Sequence, residues 1–531
     1  MTRAVRTARA VLAGVLVTAG LVGCSGGGDP ADDASPASAS TAEPGDARVD
    51  LELLPLHVER GDRPHFADEA GREVLLRGVN VIHLGDYHQA DPDLAPTLPV
   101  TERDWAAMAA VGFDSVRLVL SWSALEPERG VLDDGYVQRI REAVESAKAH
   151  GMYVVLDMHQ DAWGRYIATP ADHPCPEGLE PAIGWDGAPE WATLDDGAET
   201  CRSPGQREVA DAVRTAFRSF YADRDGIRSA LTATWARLAG AFADEPAVAG
   251  YDLFNEPNGV DPMAETLAGY TAFLGETITA IRAAEDEAGG FPHVVFVEPI
   301  VLFPLPDTLP RAGFSSDPNL AFAPHNYWES ISPFLSVEAG MELDRTTASQ
   351  LGMPFWVGEY GWWDTGDASL GELRRYAVAE DAAFAGGAWW QWRQACGDPH
   401  SIGVPGGRPE DQIHLNGVGC PGDDDLGLTV ELARVVGRAY PRTSPGRLTM
   451  LESDVDRGTL RLAGTAGAGG PDRPLVVWVP GTRRPTVGGS NIADVEVVEV
   501  DGGFLVQATA GCDYTLEVGG AAHVTGDPAG C

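Results

Sequence analysis

The sequence predicts an α/β architecture: a closed (β/α)8 TIM barrel followed by a small C-terminal β-sandwich. From about Leu51 to Tyr440, short apolar runs alternate with longer amphipathic stretches, which is how repeated strand–helix units read. Eight such runs suit a closed barrel better than an open sheet. Beyond Ala439-Tyr440-Pro441-Arg442 the runs become uniformly β-rich and are separated by Gly, Pro and Asp turns, the pattern of a sandwich. The sequence therefore divides into residues 1–23 (export signal), 24–48 (flexible tether), 49–442 (barrel) and 443–531 (sandwich). A length of 531 residues accommodates one large domain and one small one.

At the start of the chain, Arg3, Arg6 and Arg9 precede an apolar run from Ala10 to Val22. That order marks an export signal, and the run is too short to span a bilayer stably. It closes in Leu21-Val22-Gly23-Cys24, which resembles the lipobox of bacterial lipoproteins. The resemblance implies lipid attachment at Cys24 and an exported protein anchored at the cell surface; a secreted protein that discards Cys24 is the alternative. Residues 25–48 are rich in Gly, Ser, Ala and Asp, without the apolar side chains that offset chain entropy, so a disordered tether is expected.

The six remaining cysteines fall into three sequence-local couples, Cys175 with Cys201, Cys396 with Cys420 and Cys512 with Cys531. An exported chain keeps disulfides, and nearest-neighbour pairing is one of the fifteen connectivities that six cysteines allow. No CxxC or histidine cluster accompanies them, which disfavours metal ligation. The formal net charge is −41, and removal of Arg3, Arg6 and Arg9 takes it to −44. Nucleic acid and anionic membrane surfaces both need a basic face, so neither is an expected partner. No segment after the signal is apolar over the length a transmembrane helix needs; membrane attachment therefore rests on Cys24. The oligomeric state stays open, with a monomer as the simplest expectation.

Barrel strands are expected at Val74–His83, Ser115–Trp122, Tyr153–Gln160, Val248–Pro257, Val294–Pro299, Leu320–Tyr327, Phe355–Gly361 and Gly386–Trp392. A hairpin at Arg63–Arg72 precedes the first and is expected to plug the barrel floor. Between strands, stretches such as Tyr136–His150, apolar at Val137, Ile140, Val144 and Ala147, carry the helical period. Barrel chemistry gathers at the carboxyl ends of strands. There, polar residues conclude otherwise apolar runs: Arg117 and Trp122 on the second, Asp157-Met158-His159-Gln160-Asp161 on the third, Asn255-Glu256 on the fourth. The sixth ends in His325-Asn326-Tyr327, the seventh in Glu359-Tyr360 and the eighth in Trp389-Trp390-Gln391-Trp392-Arg393. One such histidine is usually a core residue bonded to backbone; six such strand ends together point to a site.

Two of the runs share one build. Gly250-Tyr251-Asp252-Leu253-Phe254-Asn255-Glu256-Pro257 ends against a proline that cannot continue the ladder, and Phe355-Trp356-Val357-Gly358-Glu359-Tyr360-Gly361 also ends an apolar run in Glu. Either Glu alone is as readily a helix cap or an arginine partner. As a pair they meet the need of two-carboxylate glycoside hydrolysis: one acid protonates the leaving oxygen, and one carboxylate attacks or activates water.

The order Arg117, His159, Asn255-Glu256, His325, Tyr327, Glu359, Trp390 resembles glycoside hydrolase family 5 over most of Leu51–Tyr440. More narrowly, Arg117–Trp122 with Glu126-Pro127, Leu156–Asp161, Gly187–Thr193 and the trailing β-rich domain resemble its endoglycoceramidase-like branch, which hydrolyses the bond between a glycan and ceramide. The resemblance implies Glu256 as acid/base, kept protonated by neighbouring negative charge and partial burial. It implies Glu359 as nucleophile, held ionised by Arg117 and the Tyr327 hydroxyl. About 5 Å between the two carboxyls would mean a covalent glycosyl-enzyme and retained configuration. It further implies Asn255 on the sugar 2-hydroxyl, His325 orienting Glu256, His159 and Asp161 on sugar hydroxyls, and Trp390 as the stacking floor. The scheme requires no metal and no cofactor.

Two features depart from the branch. The loop His83-Leu84-Gly85-Asp86-Tyr87-His88 has no lysine where the branch places a sugar-contacting one, and Trp389-Trp390-Gln391-Trp392 makes Trp392 a competing platform. Both leave the sugar open. The long insertions Ala162–Gln206 and Gln394–Leu428 are lid candidates. In other top loops, Phe303, Leu305, Ile331, Phe334 and Leu335 either line a trough for acyl chains or pack those loops down. In the tail, β runs are expected at Arg447–Glu452, Thr459–Leu462, Leu475–Val479, Val495–Val500, Phe504–Ala508 and Tyr514–Val518. With few aromatics beyond Trp478 to make a carbohydrate-binding face, a structural buttress is expected. The function that follows is a retaining β-glycosidase acting on a glycolipid. An endo-β-glucanase or another family 5 β-glycosidase is the second reading, and a non-catalytic sugar-binding lipoprotein the third.

Overall fold

Along the second barrel strand, Val116, Leu118 and Leu120 belong to the large apolar core, and all seven residues of the strand are buried. A strand buried on both faces reads as a nearly continuous apolar run rather than a clean alternation. This is why the barrel was visible in the sequence.

The computed structural model describes residues 52–530 except 90–92, 302, 306–307, 312, 403–414, 420–426, 468–471 and 521. The export signal, Cys24 and the tether lie outside the described residues. The described chain opens with β1 (Leu56–Glu59), β2 (His65–Asp68) and β3 (Arg72–Val74), joined antiparallel. The barrel strands follow as β4 (Arg77–Val81), β5 (Ser115–Ser121), β6 (Tyr153–His159), β7 (Val248–Asp252), β8 (Val294–Val297), β9 (Leu320–Phe322), β10 (Val357–Tyr360) and β11 (Gly387–Trp389). They pair in parallel in the order β10-β11-β4-β5-β6-β7-β8-β9. Bridges Phe322–Phe355 and His325–Glu359 tie β9 to β10 and close the ring.

The expected first strand, Val74–His83, is corrected. Val74 belongs to β3 in a different sheet, and the barrel strand begins only at Arg77. Leu76 turns inward with Leu56, Val58, Phe66 and Val74 to meet Val155, Ala249, Phe296 and Trp356. The hairpin thus fills the floor of the barrel. Around the outside, the helix Asp134–Ala149 starts where Asp133 accepts a hydrogen bond from the Tyr136 amide at 2.6 Å. It buries Tyr136, Ile140, Ala143, Val144 and Ala147 against the sheet.

The tail is an antiparallel sheet that does not stand apart from the barrel. Strand Tyr440–Pro445 pairs with β3 on one side and Leu475–Pro480 on the other, so the boundary expected after Arg442 falls inside a strand. The expected runs Phe504–Ala508 and Tyr514–Val518 form one strand, Gly503–Val518. Its first half pairs with Leu475–Pro480 and its second half with Thr459–Thr465. Cys512 sits near the switch at φ 56, and the sheet turns there around Leu460, Leu475, Val477, Val506 and Leu516. Trp478 is buried, not displayed: its indole donates to the Gly437 carbonyl at 2.9 Å. A Cβ at Gly112, which closes the helix Glu102–Val111, would lie 2.1 Å from the Trp478 Nε1. The disulfide Cys175–Cys201 is present, with Cα atoms 5.6 Å apart. Cys396 and Cys512 are also disulfide-bonded; Cys420 and Cys531 lie outside the described residues.

Candidate active site

Glu256 follows β7 with φ 41, in the left-handed region that a side chain rarely adopts. Its neighbours hold it there. The Glu256 amide donates to Glu298 Oε2 at 2.7 Å, and its carbonyl accepts from Gln160 Nε2 at 3.0 Å. Across the barrel mouth, Glu359 lies on β10. A carboxylate oxygen of Glu256, a ring nitrogen of His325 and a carboxylate oxygen of Glu359 all lie within 4.8 Å of one another. That spacing suits a nucleophile and an acid on one sugar, and is too short for the intervening water of an inverting site. Gly358 makes room for the bridge, since a Cβ there would meet the His325 ring at 3.0 Å.

Below the pair, Arg117 is fully buried and organises a polar layer across the barrel. Its guanidinium donates to Glu359 at 2.9 Å, Asp252 at 3.0 Å, Glu298 at 3.0 Å, Asn255 at 2.9 Å and Asn80 at 3.1 Å. Asp157 lies 3.0 Å away. Burial first, then the Glu298 charge, pushes Asp252 well above the usual carboxylate range, which brings the layer closer to neutrality. The guanidinium already fills the space among Asp157, Asp252 and Glu298, a grouping with metal-like spacing. Other such groupings are His159, Asp161 and Asp186; Glu256, His325 and Glu359; and His173, Glu199 and Cys201, the last cysteine being disulfide-bonded.

Tyr327 donates to Glu359 Oε2 at 2.9 Å. His325 Nδ1 lies 2.9 Å from Glu256 and 3.4 Å from Glu359, and its Nε2 lies 3.2 Å from Glu298. Burial opposes protonation of His325, but Glu298, Glu359 and Glu256 together raise it well above 6.5. The expected electrostatics of Glu256 are corrected accordingly. Burial does raise its carboxyl, but His325 and Arg207 outweigh burial and bring it to about 2. Burial raises Glu359, with Glu256 adding to the rise and His325 and Arg117 opposing it. His325 thus stands between the two acids, within 2.9 Å of one and 3.4 Å of the other.

Asn255 donates to the Gln160 carbonyl at 3.0 Å, and its amide nitrogen lies 3.3 Å from His159 Nε2. His159 is fixed by Asp157 at 2.7 Å and stacks on Trp390 at 5.4 Å and 15°. Trp392 is corrected: it is buried in the outer core, donating to Asp104 at 3.1 Å, and presents no platform. Asp161 is covered by two groups absent from the expected set, Arg207 at 2.5 Å and His400 at 3.1 Å. Both come from or beside the insertions. The branch-marking residues prove to be supports: Trp191 donates to the Glu126 carbonyl at 3.0 Å and packs edge-on against Trp122 at 5.1 Å. They pin the first insertion to the turn Trp122–Glu126 that follows β5.

A cavity of about 890 Å³ opens from the two acids. Its wall carries Arg207, His325, Tyr327, Trp390 and His400 together with the apolar Ile300, Val301, Phe303, Leu305, Ile331 and Phe334. Leu305, Ile331 and Phe334 are 57%, 63% and 86% exposed, so these side chains do not serve to pack their loops down.

Residues 67–395 match the family model described as Cellulase (glycosyl hydrolase family 5). The chain belongs to glycosyl hydrolase family 5 and is a glycoside hydrolase. Among solved structures it is similar to an endogalactoceramidase, with 44% identity and a TM-score of 0.80, covering 87% of this chain and 99% of that one. It is also similar to endo-glycoceramidase II from Rhodococcus sp., solved with ganglioside GM3: 25% identity, TM-score 0.65, 87% of this chain and 100% of that one. The same relative is known as a lactosyl-enzyme intermediate, at 26% identity. Endoglycoceramidase I of Rhodococcus hoagii (strain 103S) is 27% identical over 508 residues, 89% of this chain and 88% of the relative.

Proposed function

We propose that the chain is a retaining β-glycosidase that cleaves the linkage between a glycan and the ceramide of a glycolipid. Glu359 attacks the anomeric carbon as its bond to the aglycone oxygen breaks, and Glu256 delivers a proton to that oxygen. In the second step water attacks the glycosyl-enzyme, gives its proton to Glu256 and frees the Glu359 carboxylate. His325, 2.9 Å from Glu256, is placed to pass it that proton. Asn255 takes the sugar 2-hydroxyl, His159 and Asp161 other hydroxyls, and Trp390 the ring face.

The observation that carries the lipid part of this reading is the mixed lining of one cavity, the acids Glu256 and Glu359 with an apolar set that includes Ile300, Phe303, Leu305, Ile331 and Phe334. An acyl chain gains about 25 cal/mol for each Å² it buries on such a wall, whereas a polysaccharide gains little there. The lactosyl-enzyme of the Rhodococcus relative supports the covalent route. The test is release of reducing glycan from galactosylceramide, glucosylceramide, a ganglioside and a β-glucan. Turnover of a glycolipid with none of the glucan is expected; the reverse preference would favour the endo-β-glucanase. Glu359→Gly should lose all turnover while melting at the wild-type temperature, and normal hydrolysis of an aryl glycoside by it would remove the nucleophile assignment.

We also propose that the chain is exported and anchored through lipid on Cys24, on the strength of Leu21-Val22-Gly23-Cys24. Labelled palmitate should enter the wild-type protein in a bacterial host and be absent from Cys24→Ser.

A further inference from the structure

Asp161 has both its oxygens engaged by protein cations. Oδ1 lies 2.5 Å from Arg207 Nη2, and Oδ2 lies 3.1 Å from His400 Nε2 and 3.6 Å from His159 Nε2. Oδ2 takes no hydrogen bond from either histidine, whereas a sugar hydroxyl that reaches Oδ1 competes with Arg207 for that oxygen. His400 is the fixed one: Asp398 holds its other nitrogen at 2.7 Å, and it packs against Trp185 at 4.8 Å and Trp390 at 5.2 Å. Arg207 is the movable one. It stands on a short turn, Arg207–Val209, directly after the long insertion, and 24% of its side chain is exposed. The same nitrogen that reaches Asp161 also lies 3.3 Å from Glu256 Oε2.

We propose that Arg207 is a positioning residue that gates the acid: it clamps Glu256 to Asp161 in the empty site, and sugar hydroxyls arriving at Asp161 release it, so that Glu256 donates a proton only with a glycone in place. The gate rests on the reading of Glu256 as acid/base given above. The groups facing Glu256 are His325 after β9, Glu359 on β10, Glu298 after β8, Asp161 after β6, and Arg207 with Glu208 on the turn. Tyr327 adds a hydroxyl near the pair. Of these, His325 stays with the acids throughout, and the other carboxylates all favour protonation of Glu256. Arg207 is the one cation whose departure alters the balance. An opposite charge within about 4–6 Å holds a carboxyl roughly one to three pH units down, so its removal lets Glu256 take the His325 proton. When it leaves, Arg207 keeps a partner in Glu208 at 2.8 Å and a seat over the Trp185 ring at 4.5 Å.

The test compares pH profiles of kcat/KM, which reports the free enzyme, with those of kcat, which reports the complex. Galactosylceramide in detergent micelles is the substrate. In wild type the basic limb of kcat is expected to lie above that of kcat/KM. In Arg207→Gln and Arg207→Met the kcat/KM limb should rise by about one pH unit or more to meet a kcat limb that stays in place. Arg207→Lys, which keeps the charge, should leave both limbs near wild type. A melting curve identifies which variants are folded, and either neutral variant suffices. An unmoved kcat/KM limb, or both limbs moving together, overturns the gate. Glu256→Ala keeps the two claims apart. It should lose turnover of galactosylceramide yet still release phenol in a burst from 2,4-dinitrophenyl β-galactoside, whose leaving group needs no proton; if it turns over galactosylceramide like wild type, the acid/base reading falls and the gate with it. If Glu256→Ala behaves as expected while the neutral Arg207 variants leave the kcat/KM limb unmoved, the gate alone falls.

Discussion

Removing a single oxygen atom isolates one interaction of the proposed nucleophile. In Tyr327→Phe the ring keeps its stack on Trp363, at 5.8 Å and 22°, and what is lost is the bond from the hydroxyl to Glu359 Oε2 at 2.9 Å. Burial first, then the Glu359 and Glu256 charges, raises the Tyr327 hydroxyl well above 10, so it remains a donor at every working pH. A hydrogen bond to a charged group is worth about 1.5–3 kcal/mol. Glu359 loses its charge in the first step and recovers it in the second, so the bond acts chiefly as the sugar leaves. At about 1.4 kcal/mol per tenfold, deglycosylation should slow by about 10- to 150-fold. The acid limb should also move to higher pH, because a carboxylate that loses a donor binds its proton more readily. Stopped-flow kinetics with 2,4-dinitrophenyl β-galactoside, whose leaving group needs no proton, should show a burst of phenol followed by slow turnover. A steady-state rate within twofold of wild type, without a burst, would refute this account of Tyr327 and weaken that of Glu359.

Gly358→Ala places a methyl group about where the His325 ring lies, at 3.0 Å; kcat/KM should fall by about 10²-fold, the usual result of a small displacement of catalytic groups, with little change in melting temperature. Asp344 is buried and accepts a bond from Asn326 at 2.8 Å, and burial outweighs that bond to raise its carboxyl to about 8. The folded state therefore binds this proton more tightly than the unfolded chain, and the stability it contributes is complete below the unfolded value of 3.8 and lost as pH rises through about 8. Asp344→Asn should melt near or below wild type at pH 5 and above it at pH 9; a pH-independent difference would contradict the assignment. Cys201→Ser opens a covalent loop of sequence separation 26 and should cost about 3 kcal/mol, read as faster proteolysis within residues 162–206.

The strand ends were legible because a strand buried on both faces leaves no place for a charge except at its mouth. Glu298 obeys the same rule, since Val295-Phe296-Val297-Glu298-Pro299 also ends an apolar run in Glu before Pro, as Glu256 does, although it is absent from the expected site. Arg207 and His400 were not legible: they reach the site from irregular insertions, where no period says which side chain turns inward. The charge state of Glu256 depended on them, so the expected negative surroundings gave way to cationic ones. Trp392 misled for another reason. Period-two parity would put it beside Trp390, but β11 ends at Trp389, and parity ends with the strand. The tail runs at Phe504–Ala508 and Tyr514–Val518 read as two strands because a bend in one strand carries the same residues as a turn between two.

The ladder between β3 and Tyr440–Pro445 joins Val74 to Thr443, Glu73 to Ser444 and Arg72 to Pro445. The segment that stoppers the barrel is thereby zipped to the far end of the polypeptide. A version cut after Arg442 would surrender that seam, and with it the hold on Phe66 and Leu76 beneath the reactive chamber. Anyone trimming this enzyme for crystallisation or display should expect the shortened product to fail as a whole, because the tail acts as the clasp of β1–β3 and not as a detachable accessory.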